Sequence, residues 1–285
     1  MVDLHTHSTA SDGSLSPGLL IEEAAKLRIS AIALTDHDTI DGLEEAKTAA
    51  RKNGIRLIPG VELQINWKQE SDSNSGQFHL LGIGIRNPSG DFLKALEELR
   101  ETRKKRNLEI LERMEEHGIN CTYDELLEFS GGKIVGRLHF ASYLISKRIV
   151  RNIDQAFKRY LSPGKPFYVP KAGLDFPNAV SLIKESDGIA VLAHPLSLHI
   201  SWGHMPVLLK KLKDDGLDGI EAWHPAAKKS ACVRLEEQGK NLGLYITAGS
   251  DFHGERRTDR RLGITGGGRK IDESILNTIP VLTDM

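Results

Sequence analysis

The chain is poor in cysteine. Only Cys121 and Cys232 occur in 285 residues, far apart and outside any CxxC pair. That excludes a disulfide scaffold and a thiolate zinc site, and favours a reducing compartment with free thiols. Net charge is −1, so no global basic field draws the protein to nucleic acid or membrane, and any nucleic-acid substrate must be held locally. No apolar run approaches the roughly 18 residues of a membrane span. The N-terminus has neither a basic n-region nor an apolar h-region. These features lead us to expect a cytoplasmic protein with no membrane association and no obligate protein partner.

What is present is histidine, eleven in all, mostly beside Asp, Glu, Gly or Pro where apolar runs end. Asp3-Leu4-His5-Thr6-His7 reads as a strand. Its period of two puts both imidazoles on one side, where they can grip a divalent ion. Ser16-Pro17 opens a helix as N-cap and first helical residue. Ala31 to Thr35 is a buried strand ending in Asp36-His37-Asp38. Thr39 is expected to cap a helix over 40–53 that Gly54 stops. A third strand, 56–61, runs into Glu62. The order βαβαβ predicts a parallel sheet. Residues 66–76 read as a polar turn before a strand over 77–85 that carries His79.

The pattern then changes. Residues 91–117 predict a long amphipathic helix with a stripe of Phe92, Leu96, Leu99, Leu108, Leu111 and Met114. The basic stretch Arg100 to Arg106 reads as a solvated face of it. Shorter helices are expected over 123–129, 137–149 and 153–161. From Lys171 the α/β rhythm returns, with strands over 188–193, 219–222 and 244–248 ending in His194-Pro195, Trp223-His224-Pro225 and Gly249-Ser250-Asp251-Phe252-His253. Gly266 to Gly268 lacks the Lys-Ser/Thr of a phosphate loop and reads as a turn. The expected class is α/β, a barrel of seven strands with its chemistry at their C-terminal ends. The chain divides into 1–90 (barrel, first part), 91–170 (helical insertion) and 171–285 (barrel, second part).

The candidate metal ligands are His5, His7, Asp12, His37, Glu62, His79, His194, Asp251 and His253. Singly each has an ordinary explanation: Asp12-Gly13 is a turn, and His79 on an apolar strand is a core residue. As an ordered set of imidazoles and carboxylates without thiolate, they suit Zn²⁺, Mn²⁺ or Fe²⁺. Nine ligands exceed one tetrahedral site, so two or three divalent ions are expected, able to activate water and hold phosphate oxygens together.

The same motifs, with Ser11-Asp12-Gly13, Gly60-Val61-Glu62 and Ala193-His194-Pro195, resemble those of the PHP (polymerase and histidinol phosphatase) superfamily. The resemblance implies a distorted (β/α)7 barrel with a trinuclear centre that hydrolyses phosphoesters. It implies one ion on His5, His7, Glu62 and Asp251, a second sharing Glu62 with His79 and His194, and a third on Asp12, His37 and His253. His5, His7, Glu62, His194 and Asp251 would form the catalytic core. The insert, with Gly136-Arg137-Leu138-His139-Phe140-Ala141 and Phe167-Tyr168-Val169-Pro170, resembles the TrpH-like branch, though that branch usually has Pro at the position of Leu138. The branch implies 3′,5′-nucleoside bisphosphate phosphatase activity or 5′→3′ removal of nucleotides from short 5′-phosphorylated RNA. On residues alone, Arg137 and His139 are either packing groups of an insert helix or a phosphate site at a helix N-terminus; the branch favours the phosphate site. Lys171 and His224 are expected to touch substrate. The alternatives are a histidinol-phosphate-type phosphatase and a non-catalytic metal-binding regulatory module.

Overall fold

The computed structural model describes residues 1–66, 76–131 and 134–283. Most of the polar turn expected over 66–76 lies outside the described residues. Seven strands form one sheet in sequence order: β1 (Val2–Asp3), β2 (Ala31–Leu34), β3 (Arg56–Gln64), β4 (His79–Ile83), β5 (Ile189–Leu192), β6 (Gly219–Trp223) and β7 (Tyr245–Ala248). The neighbours pair in parallel except at β4, which is antiparallel to both β3 and β5. Backbone bonds bring the two edges together: Leu4 N–H donates to Ala248 O, Asp251 N–H to His5 O, and His7 N–H to Phe252 O. The sheet is thus a nearly closed, distorted barrel. Its strands are buried almost throughout, as expected when both faces are covered.

Helices cover the outside. α1 (Pro17–Lys26) is capped by Ser16 Oγ, which accepts from Leu19 N–H. α2 (Leu43–Asn53) ends on Gly54 at φ +65°, the left-handed stop expected there. It starts later than the sequence suggests. Thr39 Oγ1 accepts from Asp41 N–H and so closes a turn before the helix. Beyond the insert, α7 (Phe176–Glu185), α8 (Met205–Asp214) and α9 (Lys229–Asn241) pack on the second half of the sheet.

The insert begins with α3 (Gly90–Glu116), followed by α4 (Tyr123–Ser130), α5 (Arg137–Ser146), α6 (Ile153–Ala156) and a π-helical turn over Phe157–Leu161. α3 serves two cores. Phe92, Ala95, Leu96 and Leu99 join the barrel core, while Ile110, Leu111 and Met114 join a separate core with Leu126, Phe140, Leu144, Leu161 and Phe167. The two apolar cores therefore meet inside α3. The expected stripe is also rotated there: Leu108 is exposed, and Asn107 is buried, its Nδ2 donating to Val135 O. Arg103 and Arg106 lie at this junction with little exposure, so the basic stretch is not simply a solvated face.

Candidate metal centre

All nine sequence-derived ligands converge at the C-terminal ends of the parallel strands. His5 and His7, on the segment that follows β1, point the same way, their Nε2 atoms 3.1 Å apart. His37 follows β2, Glu62 lies on β3, His79 begins β4, His194 follows β5, and Asp251 and His253 follow β7. The antiparallel direction of β4 delivers its first residue, His79, to the face where the other strands end. The backbone turns sharply at these ends. Asp38, His194 and Asp251 have φ values of +52°, +29° and +51°, a region that non-glycine residues visit at a cost. Gly249 has no room for a side chain, because a Cβ there would lie 2.2 Å from the Cβ of His5.

Glu62 is the hub. Its Oε1 lies 2.8 Å from His79 Nδ1 and 2.9 Å from His194 Nε2. Its Oε2 lies 2.9 Å from His37 Nδ1, 3.3 Å from His7 Nε2 and 3.4 Å from His5 Nε2. Asp251 Oδ1 is 3.5 and 3.3 Å from the same His5 and His7 nitrogens. Asp12 Oδ1 is 3.3 Å from His253 Nε2, and its Oδ2 is 3.8 Å from His37 Nε2. Three compact donor sets result: His5, His7 and Asp251; His37, Glu62 and His79; and His7, Asp12, His37 and His253. His7 and His37 each belong to two sets, so the sets interlock beyond the sharing of Glu62 that the resemblance implies.

The donors fit cations. Among the described residues, His7 Nδ1, Asp12 Oδ1 and Glu62 Oε2 are buried with no well-directed hydrogen bond, which is costly unless something else fills their coordination. Burial would raise the carboxyl groups of Asp12, Glu62 and Asp251, yet the surrounding imidazoles hold all three well below the usual range. Burial holds His7 neutral, down to about 4. Burial opposes protonation of His253 too, but Asp12 and Asp251 raise it to about 9. Protons on some imidazoles thus stand where positive charge is demanded.

The outer nitrogens are already engaged, so the inner ones face the centre. His5 Nδ1 is 3.0 Å from Glu221 Oε1, His194 Nδ1 is 2.8 Å from Ser197 Oγ, and His79 Nε2 is 2.9 Å from Gln64 Oε1. Glu221 escapes the sequence reading, whose ligand set has Glu62 as its one glutamate. Glu221 is also a strand carboxylate aimed at the centre, and its Oε2 accepts from His194 N–H. A glutamate inside the apolar run of β6 is the signal that could have found it. His224 lies against Asp251, Nε2 to Oδ2 3.2 Å, and orients that carboxylate.

Beside the centre opens a cavity of about 1010 Å³ between barrel and insert. Arg103, Arg137, Lys158, Lys165, Lys171, Arg256 and Arg257 line it, together with Phe157 of the π-helical turn. Arg137 rests against the rings of Phe157 and Tyr168. His139 does not line the cavity. It is buried, its Nδ1 accepting from Gly136 N–H and its Nε2 lying 2.6 Å from Arg256 Nη1. Arg256, which sequence reasoning misses, also donates to Asp12 O, Gly13 O and Ser130 O and so fastens the insert to the loop that carries Asp12. His199 and His204 are exposed and belong to none of the donor sets.

A model of the PHP domain matches residues 3–165. The chain belongs to the PHP domain family. This PHP chain is 37% identical over 251 residues to a 5′-3′ exoribonuclease of Haemophilus influenzae, covering 88% of this chain and 89% of that one. It is 32% identical over 265 residues to a 3′,5′-nucleoside bisphosphate phosphatase of Chromobacterium violaceum, covering 93% and 91%. A solved structure from Bifidobacterium adolescentis, assigned as a metal-dependent phosphoesterase, superimposes with a TM-score of 0.84 at 26% identity, covering 99% of this chain and 96% of that one.

Proposed function

We propose that this PHP chain is a metal-dependent phosphoesterase that removes the 3′-phosphate from nucleoside 3′,5′-bisphosphates and acts in the same way on the 5′ end of short RNA. The observation that carries this reading is the pairing of two features. A buried centre of imidazoles and carboxylates opens directly onto a cavity whose walls hold a second, independent set of cations. A substrate with one phosphate would leave the second set unused, which disfavours a histidinol-phosphate-type reaction. A purely structural metal site would have no need of the cavity.

The nine ligands would hold two or three ions, Mn²⁺, Zn²⁺ or Fe²⁺. When bound, such ions lower the pKa of coordinated water toward about 7 and neutralise charge on the phosphoryl group. The protein supplies the rest. Arg137 and Lys171 would take the 5′-phosphate, and Arg137 is suited to two parallel hydrogen bonds. Phe157 would offer a face to the nucleoside. His224 and Glu221 keep Asp251 and His5 oriented. With the 5′-phosphate fixed at the insert, the 3′-phosphorus is delivered to the carboxylate and imidazole cluster, which converts binding energy into positioning. The two free cysteines are in keeping with a reducing, cytoplasmic setting.

The test is phosphate release from adenosine 3′,5′-bisphosphate with added Mn²⁺, run beside histidinol phosphate and a short 5′-phosphorylated RNA. The bisphosphate should be hydrolysed, chelator should stop the reaction, and Asp251→Ala should lower kcat by at least 100-fold while retaining the far-UV spectrum of the fold. Hydrolysis of histidinol phosphate alone would overturn the nucleotide reading, and near-full activity of Asp251→Ala would remove that residue from the centre.

A further inference from the structure

A second chamber of about 320 Å³ also abuts the metal centre. It shares Gln77, His194, Asp251 and Arg257 with the large cavity, so both spaces look onto the same ligands. Its remaining walls come from the barrel alone: the turn after His194, the end of β6 with Ala222 and His224, Ala226 and Ala227, Leu235 of α9, and Arg260. Among the described residues, the insert contributes nothing to it. The volume falls at the lower end of small-ligand sites, roughly 300–1,000 Å³.

We infer that this chamber receives the second nucleotide of a 5′-phosphorylated RNA, the residue attached to the scissile phosphate through its own 5′-oxygen. The inference rests on the proposed function, and the argument is directional. The first nucleotide lies in the large cavity with its 5′-phosphate toward Arg137 and Lys171, and its 3′-phosphate reaches the centre. A bisphosphate ends there. A strand must continue past the centre without re-entering the space the first nucleotide fills, and the chamber beyond His194 and Asp251 offers that path.

Its chemistry suits a nucleotide. Leu196, Ala222, Ala227 and Leu235 give apolar surface for a base. At the junction, Arg257 and Arg260, which both lean on Asp259, line the chamber beside the path of the next phosphate.

The step balances with water alone. The water oxygen bonds to phosphorus, the O3′–P bond breaks, and a proton goes to O3′. The first nucleotide departs as a 5′-nucleotide with a free 3′-hydroxyl. The phosphorus stays on the strand in the chamber as a new 5′-phosphate, ready for the large cavity. With a bisphosphate the same bond breaks and inorganic phosphate leaves.

Ala226→Trp places a bulky ring at the chamber from an exposed turn position. Turnover of a 5′-phosphorylated diadenylate and of adenosine 3′,5′-bisphosphate would be measured with Mn²⁺ on both proteins, and binding of both ligands in EDTA by calorimetry. The ratio of kcat/KM for diadenylate to that for bisphosphate should fall at least tenfold in Ala226→Trp. In EDTA the wild-type protein should bind diadenylate at least fivefold more tightly than bisphosphate, and the variant should lose that preference. An unchanged ratio in a folded variant, or equal wild-type affinities for the two ligands, would overturn the chamber assignment. If wild-type protein turned over neither ligand, the proposed activity would fall, while the binding comparison would still decide whether the chamber takes a second nucleotide.

Discussion

At the scale of single residues, what distinguishes this cluster from a collection of buried histidines is the fate of each second nitrogen. An imidazole whose outer nitrogen is tied to Glu221, Ser197 or Gln64 presents the other to the centre in a fixed tautomer. The sequence displays the imidazoles, because each follows or begins an apolar run, but it does not display these partners, which come from other strands and turns. Lys171 shows the same limit from the other side. Burial, and then the like charges of Arg137, Arg103 and Arg106, push its pKa well below the ordinary lysine value. A base with a depressed folded pKa binds fewer protons folded than unfolded. Its cost to stability is therefore full below the folded pKa and fades as pH rises toward the unfolded value of about 10.4. Lys171→Met should accordingly raise Tm at pH 7 and give little gain near pH 10.5. It should also raise KM for the bisphosphate about tenfold, since a bound phosphate is what makes the ammonium favourable. Thermal scans at the two pH values with matched kinetics check both; an equal gain in Tm at both, or an unchanged KM, would show that Lys171 does not carry a phosphate.

At the scale of elements, α3 joins barrel, insert and metal loop. Its first half is barrel core, its second half insert core, and between them Arg100 pairs with Asp41 and Arg103 with Asp38, the neighbour of His37. Burial works against a charged Asp38, but Arg103 and the Gln64 N–H hold its carboxyl below the usual range. Charge runs on long helices usually face water, so nothing local in Arg100 to Arg106 announces that two arginines turn inward; only docking of the helix decides it. Arg103→Met leaves a buried carboxylate without its counter-charge and should cost about 3–5 kcal/mol in urea unfolding. The double variant Arg103→Met with Asp38→Asn should recover much of that loss, because asparagine tolerates the positive φ of position 38. A single variant as stable as wild type would mean that the pair does not tie α3 to the loop after β2.

At the scale of the whole molecule, the strand order and the catalytic face are legible because each apolar run stops at a polar residue able to ligate. Closure into a barrel is expected from the seven strands, but the contacts that make it are not legible. It depends on bonds such as Asp251 N–H to His5 O between opposite ends of the chain. The reversed β4 is hidden too, since an apolar run reads the same in both directions. The metal centre makes closure testable. Its candidate ligands come from the ends of β1, β2, β3, β4, β5 and β7, and β6 supports them through Glu221. Ions that bind only the folded barrel stabilise it by about 2.7 kcal/mol at a hundredfold excess over Kd. For a domain of this size that corresponds to roughly 5 °C in Tm. Removing the ions with chelator should lower Tm by that amount, and readdition of Mn²⁺ should restore it with no substrate present. In Glu62→Gln the hub loses its charge toward five imidazoles, so the chelator-dependent shift should shrink by more than half. Because the readout is unfolding, it reports on the centre whatever the substrate proves to be. A Tm indifferent to chelator would mean that hydrogen bonds alone hold the six strand ends together.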